Sequence, residues 1–288
     1  MKFLKRHYKN IILSVVFLIG LGIFTYPFYQ DALQKAYDQY LISQFQKENA
    51  QRNEEELVAL QEKFAEENKR IAEENARPAD TEFLAEETVV DVEPTLDFFE
   101  ERTLAILTIP SIKGEMPVFD TGTDAFLNRG AAHLYGSSLP TGGLGNHAVI
   151  MAHRGMPEAE LFSKLPQVEE DDVFFLEVAG EKLAYQVDQI KIIEPTDVDD
   201  LLRVEGKDYV TLMTCTPYMV NSHRLLVRGV RIPYTEEHEI LQAGMGNHKL
   251  WVIILTIVGI LAAISLGLWW INKKNKNNKN GGRKNVHV

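Results

Sequence analysis

Hydrophobic and polar positions follow three patterns along this chain. Near each end runs an unbroken apolar stretch. Residues 11–29 read IILSVVFLIGLGIFTYPFY, residues 250–271 read LWVIILTIVGILAAISLGLWWI, and neither carries a charge. A helix needs about 20 such residues to cross a bilayer, so both predict transmembrane helices. Across 31–76 the apolar residues thin to helical spacing: Leu33, Tyr37, Tyr40, Leu41 and Phe45, then Leu57, Leu60, Phe64 and Ile71. One or two amphipathic helices are predicted there, ended by Pro78. Residues 77–102 are acidic and aperiodic, the texture of a linker or covering segment. From Thr103 onward, short β-branched runs alternate with turn residues. The predicted strands are Leu104–Ile109, Glu115–Phe119, Ala148–Ala152, Val173–Val178, Lys182–Ile193, Tyr209–Thr214 and Arg224–Ile232. A short helix fits Pro157–Leu165 and a helical turn fits Asp124–Arg129. Many short strands with few helices predict a mainly β barrel or sandwich over 103–235.

Charge orients this layout. Lys2, Lys5, Arg6 and Lys9 precede the first apolar stretch, and a basic tail, 272–288, follows the second. Positive flanks stay cytoplasmic, so both tails, 1–10 and 272–288, are expected inside and the middle of the chain outside. A cleaved signal peptide at 11–29 is disfavoured, because no small-x-small site follows it. Residues 236–249 then form a juxtamembrane linker. All 41 acidic residues lie between Asp31 and Glu239, which argues against a nucleic-acid partner. The runs Glu54-Glu55-Glu56 and Glu169-Glu-Asp-Asp172 read as solvated faces and turns.

The single cysteine cannot form an internal disulfide. It sits in TLMTCTPY (211–218), at the end of one predicted strand, and residues 216–223 separate it from Arg224 at the start of the next. If these strands form a hairpin, Arg224 lies roughly across from Cys215. A guanidinium there favours the thiolate and can stabilise an oxyanion. Arg228 shares its face but lies further away. A thiol nucleophile also needs a proton donor for the leaving amine. His153 ends a strand in AHRG, where catalytic groups commonly sit, but His133, His147, His223, His238 and His248 also lie between the apolar stretches. Zinc would need Cys215 with His147 and His153, and no second cysteine or carboxylate motif supports it. A buried structural cysteine stays open on chemistry alone.

TLMTCTPYMVNSHRLLVRGVRI (211–232) together with VIMAHRGMPEAELFSKL (149–165) resembles the signature of the sortase family. NRGAAHLYGSSLPTGG (128–143) and LAYQVDQIKIIEP (183–195) resemble its class C, the pilin-polymerising enzymes. The resemblance spans about residues 100–235 and extends to the two apolar stretches. It implies an eight-stranded β barrel with short helices, preceded by N-terminal helices and flanked by two transmembrane helices. It also implies cysteine transpeptidation without a cofactor: Cys215 as nucleophile, His153 as general acid and base, Arg224 as oxyanion or substrate clamp. Thr214 would help to orient the arginine or the substrate. The implied substrates are pilins or surface proteins with an LPXTG-type sorting signal, and the implied acceptor is a pilin lysine. The enzyme would act on the outer face of a Gram-positive-type cell membrane.

Class C enzymes also carry a lid before the barrel with an Asp-Pro-aromatic motif. This chain departs from it, offering ADTEF, in which Phe83 would cover Cys215 and Asp80 would pair with Arg224 or a nearby base; an ordinary acidic linker is the alternative. Phe98-Phe99 is expected to pack on the barrel instead. Two other functions stay in view. One is a sortase that anchors proteins to peptidoglycan precursors, and the other is a non-catalytic membrane adaptor on a sortase-like barrel.

Overall fold

The structure is a computed structural model and describes residues 2–74, 77–78, 95–156 and 160–235. They belong to the first of two compact units, Met1–His238 and Glu239–Val288. Asp80, Phe83, His238, His248 and the stretch 250–271 lie outside the described residues.

Helix α1 spans Lys2–Gln51 and α2 spans Glu54–Glu73. The break between them is a capping box. Glu56 N–H donates to the Asn53 side chain at 2.9 Å, and Asn53 N–H donates to the Glu56 carboxylate at 3.1 Å. Glu54, Glu55 and Glu56 then fill the first turn of α2, where the helix dipole favours negative charge. These acids look like a solvated face in sequence, and they also start a helix. Among the described residues no helix is long and apolar enough to cross a membrane. Several side chains of 11–29 are not among them.

Eight strands close a barrel: β1 Thr103–Ile109, β2 Gly114–Phe119, β3 Ala131–His133, β4 His147–Met151, β5 Val173–Val178, β6 Glu181–Ile193, β7 Tyr209–Thr216 and β8 His223–Ile232. Their order around it is β1-β2-β3-β4-β7-β8-β6-β5. Only β2–β3 and β4–β7 pair in parallel. Seven strands follow the predicted runs to within a residue or two. The eighth, β3, is three residues of Ala-Ala-His and too short to show a period. The predicted helix at Pro157–Leu165 is instead a 3-10 segment at Leu161–Gln167 containing Pro166, and residues 157–159 are not described. The turn at Asp124–Arg129 is a short helix, Asp124–Leu127.

Strand alternation sorts side chains between two apolar cores. Ala148, Ile150, Val210, Leu212, Leu225 and Val227 fill the barrel interior. Val149, Met151, Met213 and Leu226 face outward, into a second cluster with Ile193 and Leu201. The outer face of β4, β7 and β8 is therefore an apolar floor on the barrel's flank.

The helices before the barrel are docked on it. Leu60 and Phe64 of α2 pack on the core, and Ile71 is buried. Leu57 lies over Gly180, where a β-carbon would come within 3.0 Å of it. Asn68 is buried and clips α2 to the 139–141 segment. Its side-chain amide donates to Thr141 Oγ1 at 3.0 Å, and Leu139 N–H donates to its oxygen at 2.6 Å. Within 77–102 a further helix forms at Leu96–Glu101. Its Phe99 is buried among Tyr37, Phe119 and Phe126, with ring centroids 5.1–6.2 Å away. The acidic, aperiodic reading of 77–102 misses this helix because one aromatic residue anchors it.

His133 is buried in β3. Its Nε2 lies 3.2 Å from Ser137 O and 3.0 Å from Ser138 O. Carbonyls only accept, so Nε2 carries the proton in the neutral ring. Burial opposes charging and lowers the pKa from 6.5 to about 4, although both carbonyls favour the charged form. An unfolded imidazole binds its proton below about 6.5, while the folded one waits until about 4. Stability must therefore fall as pH drops through that window, by about 3 kcal/mol from this group. Chemical denaturation of the chain between pH 7 and pH 4 should show this loss, and His133→Gln should make the pH slope shallower.

Candidate active site

The nucleophile candidate and its arginine meet by register. β7 and β8 pair antiparallel with Cys215 opposite Arg224. Residues directly opposite share a face, with β-carbons about 5 Å apart. On the other side, β4 and β7 run parallel with Met151 opposite Met213. Beyond β4 the alignment is kept by Ala152 N–H, which donates to Met213 O at 3.2 Å. Thr214 Oγ1 in turn donates to Ala152 O at 2.8 Å. Continuing that alignment brings His153 beside Cys215. Cys215 and Arg224 thus lie side by side, on the same side of the sheet as Met213 and Leu226, and the segment that carries His153 runs on from β4 toward Cys215.

Each group has a distinct environment. Cys215 is a free, partly exposed thiol, which is at odds with a buried structural cysteine. Arg224 is buried, and its Nη1 donates to Asn221 O and His223 O, each at 3.2 Å. The loop after β7 thus holds the guanidinium in place. His153 is half-buried. Burial lowers its pKa below the usual imidazole value, and the Asp124 carboxylate opposes this shift. The ring is therefore mostly neutral at neutral pH, able to take a proton from the thiol. Phe162 N–H donates to His153 O at 3.1 Å and pins its backbone.

The rival residues lie elsewhere. Arg228 is opposite Thr211, four residues along the strand, about 13 Å from the thiol's row. Both its Nε and Nη2 donate to the Asp188 carboxylate at 2.9 Å, and it lies 4.3 Å from the Tyr209 ring centroid. His147 commits both nitrogens: Nδ1 donates to Leu202 O at 2.9 Å, and Nε2 accepts from Thr211 Oγ1 at 2.8 Å. It cannot join Cys215 and His153 around a metal without breaking both bonds. Among the described residues no group of three or more His, Cys, Asp or Glu side chains is arranged to hold a metal ion. His223 lies opposite Thr216, on the alternate face, with Nδ1 2.8 Å from Ser222 Oγ.

Thr214 differs from expectation. It faces the barrel interior, on the opposite side of β7 from Cys215, and its hydroxyl is taken by Ala152 O. It points away from the face that carries Cys215 and Arg224, and it ties β7 to the segment that carries His153. Arg77 and Pro78 run past Gly136, where a β-carbon would lie 2.3 Å from Arg77 O. Asp80 and Phe83 follow outside the described residues. Three residues of the site escape a sequence reading: Arg154, Gly155 and Tyr218. AHRG contains the first two, but nothing in sequence pairs them with Tyr218.

A family model described as Sortase domain matches residues 107–232. Sortase A of Bacillus anthracis is 28% identical over 130 residues, 45% of this chain and 60% of that protein. Sortase D of Bacillus subtilis (strain 168) is 28% identical over 131 residues, 44% of this chain and 63% of that protein. The matched region spans less than two thirds of both. Among solved structures, sortase C1 of Streptococcus agalactiae in complex with MTSET is 42% identical with a TM-score of 0.58, and the match covers 67% of this chain and 98% of that one. Sortase C of Streptococcus pneumoniae, described with its catalysis and pilin substrate specificity, is 39% identical with a TM-score of 0.58, covering 68% and 98%.

Thr214→Val keeps the side-chain shape and removes the donor to Ala152 O. It should cost about 1 kcal/mol, read as a lower denaturation midpoint. Alkylation of Cys215 by a small reagent should still go to completion.

Proposed function

Because this chain belongs to the sortase family, we propose that it is a membrane-anchored cysteine transpeptidase of class C that joins pilin subunits. The observation that carries this reading is the pairing of Cys215 on β7 with Arg224 on β8, beside the parallel β4 strand that leads into His153. Similarity to the C-type sortases of two streptococci supports the class, and one of these is described with pilin specificity.

The reaction follows from this arrangement. His153, neutral at rest, takes the proton of Cys215, and Sγ attacks the threonine carbonyl of an LPXTG-type signal. Negative charge develops on the carbonyl oxygen, where the Arg224 guanidinium can donate hydrogen bonds. As the tetrahedral intermediate collapses, the Thr–Gly bond breaks. His153 returns its proton to the leaving glycine amine, and a thioester remains on Cys215. A lysine amine of another pilin then attacks the thioester and gives a proton to His153. The isopeptide bond forms, and the thiolate leaves and regains the proton. The energy of the cleaved peptide bond passes through the thioester, so the cycle needs no cofactor.

The proposed setting is the outer face of a cell membrane, with two spans and both termini inside. Two observations support it. Basic residues flank both apolar stretches on the terminal side. In addition, Val15 through Ile19, five consecutive residues of α1, are 48–68% exposed. Five consecutive helical residues point in every direction around the axis, so this turn of α1 is apolar on all sides and uncovered by the described residues.

Incubating the chain in detergent with an LPXTG-type reporter peptide and candidate pilins tests this reading. Cleavage and high-mass pilin ladders should appear and vanish in Cys215→Ala. Arg224→Ala should lower kcat by about 100- to 1000-fold. Arg228→Ala, which disrupts the distant Asp188 pair and the contact with the Tyr209 ring, should leave kcat within a few-fold. Cleavage without ladders, with peptidoglycan precursor as acceptor instead, would replace pilin joining by surface-protein anchoring.

A further inference from the structure

Two contacts join the turn after β4 to the loop after β7. Arg154 Nη1 donates to Thr216 Oγ1 at 3.1 Å, and its guanidinium carbon lies 5.9 Å from the Tyr218 ring centroid. Beside it, Gly155 has φ +80°, and a β-carbon there would lie 2.2 Å from Tyr218 Cε2. The tyrosine ring therefore rests directly on the bare backbone of the glycine. The other side of the turn is also held: Gly155 N–H donates to Ser163 Oγ at 2.9 Å, and Phe162 N–H donates to His153 O at 3.1 Å. His153, Arg154 and Gly155 are thus gripped between the 3-10 segment at Leu161–Gln167 and residues one to three positions beyond Cys215.

Core stability does not account for this fit. Tyr218 is 53% exposed, and Met219 and Val220 beside it are more so. Arg154 Nε is buried with no hydrogen-bond partner, which costs free energy. A half-exposed ring with a partly unsatisfied guanidinium is a poor stabilising device. It is well placed to fix one chain segment against another, because it spans from the segment of the imidazole to the segment of the thiol.

We propose that Arg154 and Tyr218, closing on Gly155, are positioning residues that hold the His153 imidazole in line with Cys215. Neither touches the reacting atoms. The catalytic consequence rests on the transpeptidase reading above, but the geometric one does not. A displacement of about 1 Å between proton donor and nucleophile can cost up to about 100-fold in rate.

The test uses the full chain in detergent with 13C-labelled histidine. The His153 signal is identified by its loss in His153→Gln. In Tyr218→Ala the ring should become more solvated and titrate closer to the ordinary imidazole value, because burial depresses it and only Asp124 opposes. Cleavage of an LPXTG-type peptide should fall about 10- to 100-fold in kcat with KM changed less than about twofold. Arg154→Met should behave alike, and the double variant should be no worse than the poorer single one. Gly155→Ala, which pushes the ring away, should reproduce Tyr218→Ala. Tyr218→Phe should restore both readouts, because the ring rather than the hydroxyl makes the contact. The clamp is overturned if Tyr218→Ala and Arg154→Met leave both the His153 titration and kcat unchanged, or if Tyr218→Phe is as damaging as Tyr218→Ala. If the wild-type chain cleaves no sorting peptide while Tyr218→Ala still shifts the His153 titration, the transpeptidase reading fails and the clamp stands.

Discussion

The site depends on one constraint, the backbone register of β7 between β4 and β8. β7 is the central strand of the three, parallel to one neighbour and antiparallel to the other. A slip of one residue on either side would turn a partner side chain to the opposite face of the sheet. Arg224 would then point into the barrel, or Ala152 would stand where His153 does. Two apolar layers resist such a slip. Val210, Leu212, Leu225 and Val227 fill the interior, and Met151, Met213 and Leu226 form the outer cluster. Burial on both faces leaves these strands a single low-energy alignment.

The polar groups follow the same economy of position. Those that could compete with His153 and Arg224 are held elsewhere. His147 is tied to Leu202 and Thr211, Arg228 to Asp188, and His133 to two carbonyls. Arg224 leans on the carbonyls of the loop that Cys215 leads into, so loop shape and guanidinium position are linked. Asn221, which offers one of those carbonyls, adopts φ +57°, and Met219 adopts φ +63°. Asparagine tolerates that left-handed backbone, whereas at Met219 it costs about 1–2 kcal/mol. The helices before the barrel play a different part. Asn68 and the apolar face of α2 dock it on the barrel, so the chain approaches Arg77 and Gly136 from a fixed direction.

Most of the fold is legible in the sequence because its strands are buried on one or both faces and show a period or an apolar run. Where that signal is absent, so is the reading. β3 has three residues, two of them alanine. The break between α1 and α2 is set by the side chain of Asn53, which hydrophobic spacing does not register. The helix at Leu96–Glu101 is held by the aromatic contacts of Phe99, partners that lie far away along the chain. Asn68 looks like any polar residue of an exposed helix, and only docking gives it a buried partner.

The site divides in the same manner. Sequence alone determines that one cysteine ends a strand before a loop and an arginine, that AHRG ends another strand, and that apolar stretches with basic flanks bound the whole. These are local properties of composition and spacing. That Arg224 rather than Arg228 stands beside the thiol is a matter of hairpin register. That the strand leading into His153 runs beside the one leading into the thiol, with His147 at its far end, depends on a parallel pairing between segments more than 50 residues apart. Thr214, adjacent to the cysteine in sequence, faces the other side of β7 because strand neighbours alternate. Tyr218 and Gly155 meet only through the fold. Strand pairing and alternation choose among residues that are chemically alike, and neither is written in the residues' identities.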